Sequence, residues 1–117
     1  MKGQISRYFK RAEFACKCGC GFDAVDAELL DVLHHARWTF MSPLIITSGC
    51  RCRVHNAAVG GADDSQHILA KAADIQVVRV TPREVGEHLD EKYPGKYGVK
   101  IYPTWVHIDV RAERWRG

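Results

Sequence analysis

"TWVHIDVR", residues 104–111, is the stretch on which the fold reading turns. Successive residues of a β-strand point to opposite faces of the sheet. On that alternation Val106, Ile108 and Val110 make one aliphatic face, while Trp105, His107, Asp109 and Arg111 share the other. The first face suits a hydrophobic core. The second sets an imidazole, a carboxylate and a guanidinium side by side, as on the floor of a cleft.

The rest of the chain supplies a sheet for such a strand and helices to cover one of its sides. "LIITS" (44–48) and "ADIQVVRV" (73–80) are β-rich runs, and "KIYPTWVHIDVRA" holds one or two further strands interrupted near Pro103. Asp26 opens a helix to about Phe40, ended before Pro43. Leu29, Leu33 and Ala36 recur there at helical spacing, with Val25, Leu30 and Val32 widening the apolar face. "TPRE" (81–84) offers Thr81 as N-cap, Pro82 at the first helical position and Glu84 three residues after the cap, for a helix to about Tyr93. "VHNAAVGG" (54–61) reads as one or two helical turns stopped by glycines, and Phe9 and Phe14 are apolar enough to pack on the core. The expected class is α+β: a small, mainly antiparallel sheet with helices packed on one side, in a single domain over residues 1–117.

Composition narrows the function. The formal charge is +3 and the basic residues are scattered, so the basic tail "RAERWRG" reads as a solvated end and no nucleic-acid partner is expected. No run of about 18 apolar residues exists to span a membrane. The start "MKGQISRYFKRAEF" lacks the apolar centre of a signal peptide, which points to synthesis in a cytoplasm. The five cysteines are an odd number for a disulfide scaffold. They fall in two Cys-x-Cys turns, Cys16, Cys18 and Cys20 in one and Cys50 and Cys52 in the other. Two such turns meeting in space could hold a structural zinc through four thiolates. The spacing is not Cys-x-x-Cys, and thiols that pack one loop on another are the preferred reading.

"SQHILAKAADI" (65–75) places His67 and Asp74 seven residues apart. On a helix that spacing separates them by about 10 Å along the axis, too far to share an ion, so the chain between them must bend. His107 is the third candidate ligand. Two neutral imidazoles and one carboxylate suit a catalytic zinc that keeps an open position. The His-Glu-x-x-His helix motif is absent. His34, His35, His55 and His88 sit on expected helices or a turn and are given no metal role. For any one histidine alone, a surface or hydrogen-bonded residue is the simpler reading.

The order of three motifs carries a resemblance: the Ser-Gly-x-Arg turn, the Ser-x-His-x6-Asp segment and the His-Ile-Asp strand. "ITSGCRCRVHNAAVGGADDSQHILAKAADI" (46–75) followed by "YPTWVHIDVR" (102–111), with "EFACKCGCG" (13–21) and the closing "RW", resembles the M15-type zinc D-Ala-D-Ala carboxypeptidase and murein endopeptidase family. It looks most like the small single-domain phage and prophage members. The resemblance implies one catalytic zinc bound by His67, Asp74 and His107, and an Arg51 that stabilises the substrate carbonyl or its oxyanion. Ser65 and Gln66 would touch substrate or cap their loop. The implied activity is hydrolysis of peptide bonds in peptidoglycan stem peptides, as a carboxypeptidase or an endopeptidase. Arg51, Arg53 or Arg111 could hold a terminal carboxylate in the first case. A monomer is expected, acting in the cell wall or periplasm after delivery through phage lysis or a virion.

Two departures from the family pattern stand out. Ala70 occupies a place where many relatives have glycine, which visits positive φ more freely. "KIYPTW" (100–105) offers no acid or histidine shortly before His107 to act as general base. Asp109 is the nearest alternative, either as that base or as the residue that orients His107 by a hydrogen bond. A non-catalytic zinc-containing module of the same fold, binding cell wall or serving as a phage structural part, is the competing reading.

Overall fold

The computed structural model describes residues 3–117. A 3-10 helix at Arg11–Phe14 precedes α1 (Ala27–Phe40), β1 (Leu44–Ser48), α2 (Arg53–Ala58), β2 (Ala72–Val77), α3 (Pro82–Lys92), β3 (Gly98–Ile101) and β4 (Val106–Asp109). The strands form one antiparallel sheet in the order β1-β2-β4-β3. The expected α+β class with an antiparallel sheet is what the chain adopts.

Alternation sorts each strand. Leu44 and Ile46 of β1, Ala73, Ile75 and Val77 of β2, and Val106 and Ile108 of β4 all enter one buried cluster. Leu29, Val32, Leu33 and Ala36 of α1, with Val85 and Leu89 of α3, cover that face. Burying each large aliphatic side chain contributes about 1.5–3 kcal/mol before chain entropy is counted. Phe9 and Phe14 join the cluster, packed edge to face at 5.8 Å, so the N-terminal segment is part of the core. Val25 lies before the helix yet still packs against the core cluster.

The helix ends follow their local chemistry. The Asp26 carboxylate accepts from the backbone N–H of Glu28 at 2.8 Å and of Leu29 at 3.3 Å. Met41 closes α1 in the left-handed region. Thr81 Oγ1 accepts from the Glu84 N–H at 3.1 Å, and the Thr81 hydroxyl also donates to the Glu84 carboxylate at 3.1 Å. One expectation shortens: the strand read as 73–80 ends at Val77, because Arg79 at φ 65° turns the chain and Val80 bridges back to Val77.

Two contacts of this frame are testable. Gly98 lies opposite Asp109 across β3 and β4, and a Cβ there would run into the Asp109 carboxylate, which is fully buried. Gly98→Ala is expected to destabilise the protein by about 1–3 kcal/mol, the usual cost of overpacking, as read by urea unfolding. Between α1 and α3, His35 stacks on His88 with ring centroids 5.3 Å apart and their Nε2 atoms at 3.2 Å. Burial, then the charge of Lys92, then His88 push the His35 pKa below its ordinary value. The unfolded chain therefore binds this proton first, and the associated stability, present above about pH 6.5, is lost as pH falls. His35→Gln is expected to flatten the decline of the unfolding midpoint between about pH 7 and about pH 5.

Candidate metal centre

Sheet register brings two of the three candidate ligands together. Asp74 of β2 and His107 of β4 are direct partners across the antiparallel pair. Residues so placed have Cβ atoms about 4.5–5.5 Å apart. His67 arrives from the loop before β2. The bend that the seven-residue spacing requires is completed at Ala70, which takes φ 59°. The position at which the family resemblance led to an expectation of glycine is left-handed here, at a cost of about 1–2 kcal/mol for a residue with a Cβ. Backbone bonds hold the loop against that cost: Ala70 N–H to His67 C=O at 3.2 Å, Lys71 N–H to Gln66 C=O at 3.1 Å, and Asp26 N–H to Ala70 C=O at 2.9 Å.

Asp74 Oδ1 lies 3.3 Å from His67 Nε2 and 3.1 Å from His107 Nδ1. The outer nitrogen of each ring is already committed. His67 Nδ1 is 2.6 Å from the Gly49 carbonyl oxygen, and His107 Nε2 is 2.8 Å from Asp109 Oδ2. Those partners only accept, so the outer nitrogens carry the protons. In the neutral rings, two imidazole lone pairs then face an ionised carboxylate oxygen. Three acceptors aimed at one another repel unless a cation sits among them. A set of two imidazole nitrogens and one carboxylate oxygen fits zinc with a position left open.

The surroundings reinforce the negative charge. Protonated rings are the other way to satisfy that oxygen: burial pushes the Asp74 carboxyl up, but in that state hydrogen bonds from His107 and His67 outweigh it and hold the group well below the usual carboxylate range. Burial also pushes Asp109 up, and its bonds to His107 and Arg111 again prevail. Burial lowers the His107 pKa, but hydrogen bonds and charge from Asp109 and Asp74 raise it by more, for a net increase.

Asp109 is held from every side. Its Oδ1 accepts from the Gly98 N–H at 3.1 Å, the Arg111 N–H at 3.1 Å and Arg111 Nε at 2.8 Å. Its Oδ2 accepts from Arg111 Nη2 at 2.8 Å as well as from His107. The guanidinium of Arg111 in turn lies 4.5 Å over the Trp115 ring. Arg51 reaches Ser48 Oγ at 3.3 Å, Asn56 Oδ1 at 3.3 Å and Asp74 Oδ2 at 3.4 Å.

His67, Asp74, His107, Arg51, Arg111 and Trp115 line a cleft of about 440 Å³ that also includes Ser65, Gln66, Tyr102 and Trp105. Ser65 Oγ accepts from the His67 N–H at 3.2 Å, which makes it a cap of the ligand loop as well as a cleft residue. His34, His35, His55 and His88 lie outside the cluster. Sequence reading missed Gly49 and Asn56. Gly49 stands in the Ser-Gly-x-Arg motif, and a Cβ there would strike the Phe14 backbone. Asn56 is almost fully buried between Arg51 and the Ala62 carbonyl, and nothing in its local sequence marks it.

Comparison with known proteins identifies a family. A family model described as Peptidase M15 matches residues 7–109. No curated protein matches the chain. Since the matched span takes in every strand of the sheet and all three converging side chains, the chain belongs to the Peptidase M15 family.

Proposed function

We propose that this protein is a zinc-dependent peptidase that hydrolyses peptide bonds in peptidoglycan stem peptides, with His67, Asp74 and His107 as the metal ligands. The observation that carries the reading is the convergence of two imidazole lone pairs on one carboxylate oxygen at the floor of a cleft. Membership of a peptidase family supports the reaction class. A zinc ion bound there supplies Lewis-acid chemistry and lowers the pKa of water toward neutrality.

The chain's own residues divide the remaining work. Gly49 and Asp109 fix the tautomers of the two imidazoles. Arg51 presents a permanent charge to the carbonyl of the bond to be cut, and keeps Asp74 oriented through Oδ2. Asp109 acts as a positioning residue in this reading: its oxygens are filled by Arg111, Gly98 and His107, and accepting a proton would break the Arg111 fork. The stacked rings of Tyr102 and Trp105, 4.5 Å apart, give a flat wall for a thin peptide, and Gln66 and Ser65 border the opposite loop. Hydrolysis adds the hydroxyl of water to the acyl carbon and its hydrogen to the departing amine.

Cleavage within a cross-link is favoured over removal of a terminal residue. Arg51 and Arg111 are the only arginines or lysines among the described residues lining the cleft, and Arg111 is engaged by Asp109. If Arg51 serves the carbonyl, no arginine remains for a terminal carboxylate. The saturation of Asp109 also keeps the non-catalytic module in view: such a protein would hold zinc in the cleft and cleave no muropeptide.

Two variants test these roles. His67→Ala is expected to lose zinc from the cleft and to abolish muropeptide cleavage; cleavage at the wild-type rate would overturn the ligand assignment. Mass spectrometry of wild-type digests is expected to show cross-linked dimers released as halves, and loss of a single terminal alanine would mean the carboxypeptidase reaction instead. Asp109→Asn is expected to weaken zinc binding in the cleft by about 10- to 100-fold, with cleavage falling in step and recovering as zinc is raised. Cleavage lost while zinc binding stays unchanged would make Asp109 the general base.

A further inference from the structure

A second group of metal-binding side chains lies apart from the cleft ligands. The Sγ atoms of Cys16, Cys18, Cys20 and Cys52 all fall within 4.8 Å of one another. Cys18 Sγ is 3.4 Å from Cys16 Sγ and 3.6 Å from Cys52 Sγ. Four thiolates at about 2.3 Å from a tetrahedral zinc stand about 3.8 Å from one another, so the cluster already has the size of such a cage.

The fifth cysteine does something else. Cys50 Sγ is buried and donates toward the carbonyls of Phe14 and Phe22, each at 3.1 Å. The odd count thus resolves into four clustered thiols and one that hydrogen-bonds the backbone. Backbone amides also point at the cluster: Cys52 N–H at Cys16 Sγ and His55 N–H at Cys52 Sγ, both at 3.4 Å. Amide donors of this kind favour sulfur that carries negative charge.

The segment that contributes three of these cysteines has little else to hold it. Residues 17–21 are all exposed, and Gly19 turns the chain between Cys18 and Cys20 at φ 80°. Few apolar contacts are available there to offset the entropy of ordering the loop. We propose that Cys16, Cys18, Cys20 and Cys52 form a structural zinc site, distinct from the cleft centre, that staples the N-terminal loop to the turn carrying Arg51.

The consequence reaches the cleft through the backbone. Cys52 directly follows Arg51, whose N–H donates to the His67 carbonyl at 3.0 Å, while the Cys50 N–H donates to the Phe14 carbonyl at 3.0 Å. Holding Cys52 therefore steadies the turn that supplies both Arg51 and the Gly49 carbonyl. The four cysteines are positioning residues and touch no substrate.

This site stands independently of the reading of the cleft, and metal counting separates the two. Full-length protein purified without chelator is expected to hold about two zinc ions per chain, by elemental analysis. His67→Ala is expected to keep the cysteine-bound ion, Cys18→Ser to lose it, and Cys50→Ser to keep both. In cobalt-substituted protein, thiolate-to-cobalt charge-transfer absorption is expected to persist in His67→Ala and to vanish in Cys18→Ser. The cleft ligands contain no sulfur and cannot produce that band. One zinc per chain that disappears in His67→Ala, absence of the thiolate band from the wild type, or recovery of the four thiols as disulfides after anaerobic purification would each overturn the proposal. Two ions retained in His67→Ala would sink the cleft assignment and leave the cysteine site standing.

Discussion

The pairing register between β2 and β4 is the constraint on which the rest depends. It sets Asp74 against His107 and Ala72 against Asp109. A slip of one residue would turn every side chain of a strand to the other face. His107 and Asp109 would then enter the aliphatic core, and Val106 and Ile108 would face the cleft. The core enforces the register, because Ile75, Val106 and Ile108 are almost fully buried and a slip would turn strand side chains like these out of the core. Packing on one face of the sheet thus determines chemistry on the other.

From that register a line of alternating charge and polarity runs across the cleft floor. Arg111 grips Asp109, Asp109 holds His107, His107 faces Asp74, and Asp74 Oδ2 meets Arg51. Each buried carboxylate has a cationic or hydrogen-bonding partner, which is the condition for keeping such charges inside a protein. The same arrangement leaves a single surplus of lone pairs, at the point shared by His67, His107 and Asp74. Gly98 makes the line possible by letting β3 approach the Asp109 carboxylate.

The loops behind the cleft are built around one turn. Residues 49–52 donate a backbone bond from Cys50 to Phe14 and another from Arg51 to His67, and lend the Gly49 carbonyl to the His67 ring. Phe14 is itself anchored in the core through Phe9. The N-terminal segment is therefore a support for the turn that carries Arg51. The cysteine cluster joins the same two segments from the solvent side.

Much of this was legible from residue order. The run at 44–48 is a strand with the bounds that its β-branched residues suggested, and Asp26 and Thr81 cap the helices that they were expected to start. Alternation along "VHID" separated core from cleft, and the three motifs pointed to His67, Asp74, His107 and Arg51, which the fold brings to one cleft. These features are local: a cap, a period of two, a short motif. Tertiary structure alone decided that Asp109 is filled by Arg111 and the Gly98 amide, that Gly49 and Asn56 belong to the centre, and that four cysteines cluster while Cys50 does not. The reason is physical. A backbone carbonyl or amide is the same group at every position, and which side chain it meets is set by strand register and loop packing between segments far apart in the chain.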